Sequence, residues 1–378
     1  MKALAALAVL VAAAVVVTAA RSGHELPIYP SYYPQDITIT PLAPQQAGVF
    51  LAQGKIQAYV GGEPRFLGRR PDSVRAIESL GSFVTLRVNR QSALTGDAAA
   101  ACALARAVIG DMAGKGGEFL FHPYPVTPFH GDYLYHVDLA EAAKARFSTP
   151  PSAPGALKVR ADEGLARTLV RADWLTQGSD WDAAIELVGA ADLAASATFA
   201  MNGWIAPPWA RSGWFHAQRL LADNVVAEDK ERADAAGERL TAGHFDGLPE
   251  RINLERDLVA ALTTGCRKVV AGYTVKREYI SAEYSAGIEN IGFDAIEGLA
   301  SPMFIRTAKL KDFPWNGSLV LGIDGEPGAA WNPIAGMTDR FGRLMWSALG
   351  DPALIPTPYD AGFMLNRAAD VQAAVEPR

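Results

Sequence analysis

Apolar positions along residues 55–122 switch between the two-residue period of a strand and the 3.6-residue period of a helix. Three segments have the composition of strands: Ile56–Val60, Phe83–Val88 and Glu118–His122. Two segments between them have helical spacing: the stretch from Pro71 to Leu80, and the stretch from Asp97 as N-cap to about Met112. This alternation predicts an α/β fold, in which a mixed or parallel sheet is flanked by helices.

Helical spacing dominates the second half of the chain. The predicted helices there are 158–176, 190–201, 213–224, 228–242, 249–264 and 339–349. The predicted strands there are Cys266–Val275, Pro302–Ala308 and Leu319–Ile323. Glycine and proline are frequent after residue 312, so this last part is predicted to consist mostly of loops.

These segments divide the chain into five predicted parts. They are a signal peptide or membrane anchor (1–22), a Pro/Tyr-rich extended arm (23–47), an α/β lobe (48–147), a proline-rich linker (148–156) and a helix-rich second lobe with a Gly/Pro-rich C-terminal part (157–378). Two lobes are expected because single hydrophobic cores rarely grow beyond about 250–300 residues.

The first part of the chain predicts export. An apolar run, Ala3–Ala20, follows Lys2 and ends at Arg21. A basic start, an apolar stretch and small residues before Ala20 match a secretory signal, and the run is also close to the length of a spanning helix. Either interpretation predicts a body in the periplasm, or one anchored to the inner membrane and facing the periplasm. If the signal is not cleaved, residues 3–20 contact the membrane.

Composition and sequence motifs limit the classes of partner and cofactor that this chain is expected to bind. The net charge of −6, without a long Lys/Arg cluster, argues against a nucleic-acid partner. No complete dinucleotide or phosphate-loop motif is present, so no nucleotide cofactor is expected. The two cysteines, Cys102 and Cys266, could form a disulfide in an oxidising compartment or remain separate buried thiols.

The segment from His122 to His136 holds three of the six histidines and is the first candidate site. His122 ends a predicted strand, where ligands of α/β sheets bind, and Tyr124, His130, Asp132 and His136 follow it. All five are predicted to contact a ligand. Imidazoles beside a carboxylate also favour a transition metal, so His122, His130 and His136 form a candidate metal site, although their spacing matches no known motif. The alternative is a loop whose polar side chains bond to the backbone.

Two further segments carry candidate chemistry. Trp204, Trp209 and Trp214 lie among prolines and glycines and are predicted to stack on a ligand, with core packing between the lobes as the alternative. The segment 278–297 carries five carboxylates, which could supply an acid–base pair or face solvent. The sequence leaves open whether the three segments meet.

These features favour an exported small-molecule-binding protein of the solute-binding type, with two lobes that close on an unknown ligand. Two alternatives stay open. A metal-assisted periplasmic hydrolase would use the loop of His122, His130 and His136 to hold the ion. A non-catalytic accessory subunit of a membrane or periplasmic complex would use the exposed proline-rich arm.

Overall fold

The computed structural model describes residues 34–148, 157–161, 164–195, 199–201, 204–311, 317–328, 337, 339–350, 354–357 and 362–365, with the backbone alone in 199–201 and 204–206. The predicted signal peptide or anchor, the first part of the arm and most of the predicted linker lie outside these ranges. Within them, no helix is long and apolar enough to cross a membrane.

Helices and strands alternate along the described chain. The helices are α1 (Pro44–Ala52), α2 (Ala98–Met112), α3 (Val137–Ser148), α4 (Leu165–Thr168), α5 (Ala190–Ala195), α6 (Gly213–Leu221), α7 (Ala227–Ala242), α8 (Gly247–Thr264), α9 (Pro302–Thr307) and α10 (Arg340–Leu349). The strands are β1 (Asp36–Pro41), β2 (Ala58–Val60), β3 (Val74–Val88), β4 (Phe119–Phe121), β5 (Val159–Ala161), β6 (Leu175–Thr176), β7 (Ala183–Gly189), β8 (Phe199–Met201), β9 (Trp204–Ala206), β10 (Lys268–Ser281), β11 (Ile288–Asn290), β12 (Lys309–Leu310), β13 (Ser318–Ile323), β14 (Leu354–Pro356) and β15 (Phe363–Leu365).

Nine strands form one mixed sheet. Eight of them follow the order β1-β13-β2-β10-β3-β7-β5-β6, and the ninth, β4, pairs with β10 along the same edge of β10 as β2 does. Parallel pairs join β1 to β13 and β13 to β2, whereas β10 runs antiparallel to β2, β3 and β4. The long strands β3 and β10 pair along almost their whole length, from the pair of Val74 with Ser281 to the pair of Arg87 with Lys268. They form the centre on which the other elements are arranged.

The sheet is covered by helices on both faces. Successive side chains of a strand point to opposite faces, so Phe83 of β3 packs among residues of α6, α7 and α8, while Val84 packs among residues of α2. The same alternation sends Val270 of β10 to the first cluster and Val269 to the second. We call these sides the α6–α8 face and the α2 face.

The predicted fold class is confirmed, because the sheet is mixed and flanked by helices. Strands from both sides of the predicted linker belong to this one sheet, since β3 pairs with β7 and with β10. The segment 148–156 therefore does not separate two sheets, and the division into two lobes stays a prediction.

The helix predicted from Pro71 to Leu80 is wrong, because residues 74–88 form a single strand. Val74, Ile77 and Leu80 are buried at a spacing of three, which resembles one face of a helix. Pairing with β10 overrides this local pattern, and the three side chains are buried in three different apolar clusters.

Two further predicted elements are wrong. The helix expected over 158–176 is replaced by β5, the short helix α4 and β6, and Gly164, at a φ of 71°, precedes α4. The strand expected over Pro302–Ala308 is the helix α9. Its start carries an N-cap signature, since Ser301 Oγ accepts from the backbone N–H of Met303 and proline occupies the first helical position.

The ends of two predicted segments also shift. The helix α1 begins at Pro44, inside the segment expected to be an extended arm, because proline is tolerated at the first position of a helix. The helix expected over 190–201 ends at Ala195, and β8 follows at Phe199. The strand β7 has no predicted counterpart.

A disulfide joins α2 to the sheet. Cys102 lies in α2 and Cys266 precedes β10, and their Cα atoms are 4.9 Å apart. The bond closes a loop with a sequence separation of 164 residues. It therefore crosslinks the α2 face across a large part of the chain.

Candidate functional site

The histidine-rich segment 122–136 lies on the α6–α8 face, directly after β4. The backbone N–H of His122 donates to Ala271 O of β10, which fixes the start of the segment on the sheet. The His122 ring donates through Nε2 to Val126 O at 2.9 Å. Beyond this point the segment turns inward, so that Tyr124, His130, Asp132 and His136 are all buried.

His130 and His216 form a buried pair of imidazoles that links this segment to α6. The backbone N–H of Thr127 donates to His130 Nδ1 at 2.9 Å, which assigns the ring proton to Nε2. His130 Nε2 then donates to His216 Nδ1 at 3.0 Å, and His216 Nε2 donates to Ala210 O at 3.0 Å. All four ring nitrogens are engaged, and both rings are neutral.

Burial explains the neutral state of this pair. Desolvation lowers the pKa of His130 to about 3 and the pKa of His216 well below its ordinary value. Neither nitrogen of His130 is available to a metal while these hydrogen bonds persist. A centre made of His122, His130 and His136 would require His130 to leave its partners, and it stays a prediction.

Asp132, His136 and Glu255 form a second buried group. Each of the three side chains offers one possible ligand atom, and these three atoms all lie within 4.8 Å of one another. Asp132 and His136 flank the short 3₁₀ turn Tyr133–Tyr135. Glu255 comes from α8. Their exposed fractions are 7%, 0% and 3%.

Each side chain of this group has one polar atom with a partner and one without. The partnered atoms are Asp132 Oδ1, which accepts from Gly213 N at 3.2 Å, His136 Nδ1, which lies 2.8 Å from Tyr124 Oη, and Glu255 Oε1, which lies 3.4 Å from Arg251 Nε. The other atoms, Asp132 Oδ2, His136 Nε2 and Glu255 Oε2, are buried and have no hydrogen-bond partner among the described residues.

The charge states of the group follow from this burial. Desolvation raises the pKa of Asp132. Desolvation, followed by the charge of Asp132, raises the pKa of Glu255 to about 8. Desolvation also lowers the pKa of His136. Two carboxylate charges are therefore unfavourable here unless a cation lies between them.

Close packing positions the first two of these side chains. A Cβ at Gly213 would lie 2.6 Å from Val126 and 3.1 Å from Asp132 Oδ1, so glycine lets the loop approach the start of α6. Arg256 of α8 donates to Tyr135 O of the same segment and ties α8 to the start of α3, since its two terminal nitrogens each donate to the Asp138 carboxylate at 2.7 Å. This bond lowers the pKa of Asp138 to about 2.

The aromatic candidates take different positions. Trp214 is 2% exposed and lies in the apolar core of the α6–α8 face. Trp209 is partly buried, with its ring centroid 5.0 Å from that of Phe215. The side chain of Trp204 lies outside the described residues. Ligand stacking by these tryptophans stays a prediction, and for Trp214 it would require the core to open.

The three candidate segments of the sequence meet on one face. The Asp132–Gly213 and His130–His216 contacts join the first segment to the second. Arg211 joins the second to the third through an ion pair of 2.5 Å with the buried Asp294. These contacts are buried and hold the segments against one another.

Two of the cavities among the described residues lie where β3 ends and β10 begins. These adjoining cavities, of about 510 Å³ and 420 Å³, share part of their lining. The shared residues are Val88, Asn89, Arg90, Asn224 and Arg267. The first cavity extends to Arg87, Trp181 and Lys268, and the second extends to the disulfide and the start of α2. We call the two cavities together the basic cleft. A further cavity of about 320 Å³ borders Tyr124.

Four cationic residues line the basic cleft: Arg87, Arg90, Arg267 and Lys268, the last of which lies 3.8 Å from Glu186. Arg87 pairs with Glu186 at 2.7 Å and stacks on Trp181, with its guanidinium carbon 5.2 Å from the ring centroid. Arg90 and Arg267 are exposed, and neither forms an ion pair with any residue that the structure describes. The carboxylates that line the cleft are Asp97 and Asp223.

Neither Glu255 nor the basic cleft was predicted from the sequence. A signal for Glu255 was present, because it lies three and four residues before Leu258 and Val259 on the buried side of α8. A carboxylate on that side of a helix must be buried. The cleft offered no comparable signal, since its lining comes from separate segments of the chain that only the fold brings together.

Comparison with known proteins found no match among protein-family models or curated proteins. The chain is similar to several solved structures. NikZ from Campylobacter jejuni in complex with Ni(L-His) is 14% identical, with a TM-score of 0.34 over 65% of this chain and 55% of that chain. HbpA2 from Haemophilus parasuis is 11% identical, with a TM-score of 0.39 over 66% and 54%.

A third similar structure is the ABC transporter-associated periplasmic binding protein DppA from Helicobacter pylori in complex with peptide STSA. It is 12% identical, with a TM-score of 0.38 over 70% of this chain and 54% of that chain. The chain thus spans just over half the length of these solved structures.

Proposed function

We propose that this chain is an exported binding protein for a small organic anion and that the basic cleft is its ligand site. The charge of the cleft carries the proposal. The whole chain has a net charge of −6, yet four cationic side chains line one cavity: Arg87, Arg90, Arg267 and Lys268. Arg90 and Arg267 form no ion pair within the described part of the chain, so a ligand carboxylate or phosphate can pair with both guanidinium groups.

The size and walls of the cleft suit a small molecule. Its two cavities, of about 510 Å³ and 420 Å³, lie in the range of ordinary ligand pockets. The second cavity adds apolar walls from Val88, Ala98, Ala101 and Val226. The preferred ligand is therefore an anion with an apolar part, whose charged group binds at the arginine end.

Export is proposed on two observations. The apolar run Ala3–Ala20 after Lys2 has the form of a secretory signal, and a disulfide joins the two cysteines of the chain. A periplasmic solute-binding role agrees with both. The anion would be taken from the periplasm and held in the cleft, with no covalent step.

The test is a binding screen on the purified full chain. Calorimetry and thermal shift would be run with organic monocarboxylates, dicarboxylates and phosphate esters, together with neutral and cationic counterparts. We expect at least one organic anion to bind, with an affinity that falls as salt is added. Arg90→Gln and Arg267→Gln should each weaken binding by roughly tenfold or more, because each removes a charge-assisted hydrogen bond.

Arg75→Gln is the matched control, since Arg75 is an exposed arginine on β3 that does not line the cleft. It should leave binding unchanged. Binding of neutral or cationic compounds alone, or equal anion affinity in all three variants and the wild type, would contradict the proposal.

A further inference from the structure

The geometry points to a metal site formed by Asp132, His136 and Glu255, and we propose that it holds one divalent ion such as Zn²⁺ or Mn²⁺. The ion joins segment 122–136 to α8 on the α6–α8 face. The site shares no residue with the basic cleft, so it goes beyond the anion-binding function and does not depend on it.

The unpartnered atoms are the first argument. Buried polar atoms without a partner are rare, because each one loses its hydration without a replacement. Six such side-chain atoms occur among the described residues. Three of them belong to this group, and a fourth is Arg251 Nε, which lies 3.4 Å from Glu255 Oε1 as an ion pair without a hydrogen bond. A single ion between Asp132 Oδ2, His136 Nε2 and Glu255 Oε2 satisfies all three at once.

The spacing of the group is the second argument. No hydrogen bond joins any two of the three described side chains, although one ligand atom of each lies within 4.8 Å of the others. Ligands that bind one Zn²⁺ at about 2.0–2.2 Å lie roughly 3–4 Å from each other. The group is therefore too open for direct pairing and close to the span of a coordination sphere.

The donor set is the third argument. One imidazole and two carboxylates suit zinc, manganese or ferrous iron, and a charge of +2 balances the two buried carboxylates. The remaining polar atom of each ligand is already oriented by the chain. In the tautomer with its proton on Nδ1, His136 donates to Tyr124 Oη at 2.8 Å, and the lone pair on Nε2 is left for the ion. Gly213 N holds Asp132, and Arg251 holds Glu255.

The test measures metal content and metal-dependent stability on the full chain without a histidine tag. The protein is stripped with a chelator, dialysed against Zn²⁺, Mn²⁺ or Ca²⁺, and analysed by elemental mass spectrometry and thermal unfolding. We expect one equivalent of Zn²⁺ or Mn²⁺ per chain and a higher Tm in the loaded protein. Tyr124→Phe should lower the affinity roughly tenfold, because it removes the group that orients His136.

Glu255→Gln is the decisive variant. It should lose the ion and the metal-dependent rise in Tm. Its metal-free Tm should be no lower than that of the metal-free wild type, because a neutral amide replaces a buried carboxylate. Asp257→Asn is the matched control: it removes an exposed carboxylate from the same helix and should keep the ion.

His122→Gln separates this site from the three-histidine centre suggested by the sequence, since it should also keep the ion. Uptake of no ion by the stripped wild type would overturn the proposal, and this is the result that a buried water in the group would give. Equal metal affinity in Glu255→Gln and the wild type would overturn it as well. Neither result bears on anion binding, which Arg90→Gln and Arg267→Gln test separately.

Discussion

The two faces of the central sheet are stabilised in different ways. On the α2 face, apolar residues of α2, β3 and β10 form the core, and the Cys102–Cys266 disulfide crosslinks it. On the α6–α8 face, the core also encloses polar side chains: His130, Asp132, His136, His216 and Glu255. Apolar contacts are non-directional, whereas buried polar groups need particular partners. The polar contacts of the α6–α8 face therefore restrict segment 122–136 to fewer conformations than apolar packing alone would.

The largest effect is expected on the α2 face, from removal of the disulfide. Replacing both cysteines with serine (Cys102→Ser with Cys266→Ser) opens a loop with a sequence separation of 164 residues. For a loop of this length, the chain-entropy model gives a loss of roughly 5 kcal/mol in the free energy of unfolding. Urea denaturation followed by circular dichroism measures it.

Reduced wild-type protein serves as the control for this experiment, because it lacks the same crosslink without a change in sequence. It should unfold at the same urea concentration as the double variant. An unchanged midpoint in both samples would mean that the apolar packing of the α2 face needs no crosslink, and the contrast between the two faces would lose its main support.

Much of the α2 face could be predicted from the sequence, because its signals are local. The helix α2 was expected from Asp97 to about Met112, and Asp97 does accept from the backbone N–H of Ala100. The strand β3 was only half predicted. Its first part has the spacing of a helix, and it becomes a strand only through pairing with β10, which lies almost two hundred residues away in the chain.

The candidate site also depends on contacts between distant segments, which the local sequence does not predict. The segment 122–136 could be singled out from its histidines, but nothing local says that His130 meets His216 or that Glu255 approaches His136. These partners come from α6 and α8, so the contacts depend on how helices pack on the sheet. Polar residues in a short segment therefore indicated where polar side chains cluster, and the packing of α6 and α8 decides that the cluster is buried.

The next largest effect is expected from Trp214 on the α6–α8 face. Trp214→Ala removes a 2% exposed ring from the core and should lower the free energy of unfolding by about 3–5 kcal/mol. Trp209→Ala is the comparison, because Trp209 is only partly buried and should cost less. Urea unfolding of both variants measures the difference. A stability loss confined to Trp209→Ala would reverse the assignment of Trp214 to the core.

The smallest effect concerns the His130–His216 pair and tests the polar character of the α6–α8 face directly. His130→Leu leaves His216 Nδ1 and the Thr127 N–H without a partner and should cost about 1–3 kcal/mol. His216→Leu should cost a similar amount, because it leaves His130 Nε2 and Ala210 O unpaired. The exposed His244 provides the control, since His244→Leu should change stability by less than about 0.5 kcal/mol.

The double variant decides whether the two imidazoles act as one unit. If they do, His130→Leu with His216→Leu should cost about 0.5–3 kcal/mol less than the sum of the single variants, because the second substitution removes a group that the first has already left unpaired. Additive losses would mean that each ring is held by its backbone partner alone. Thr127 would then hold His130, and Ala210 would hold His216, without help from the bond between the rings. The polar contacts of the α6–α8 face would contribute independently to stability, much as the apolar contacts of the α2 face do.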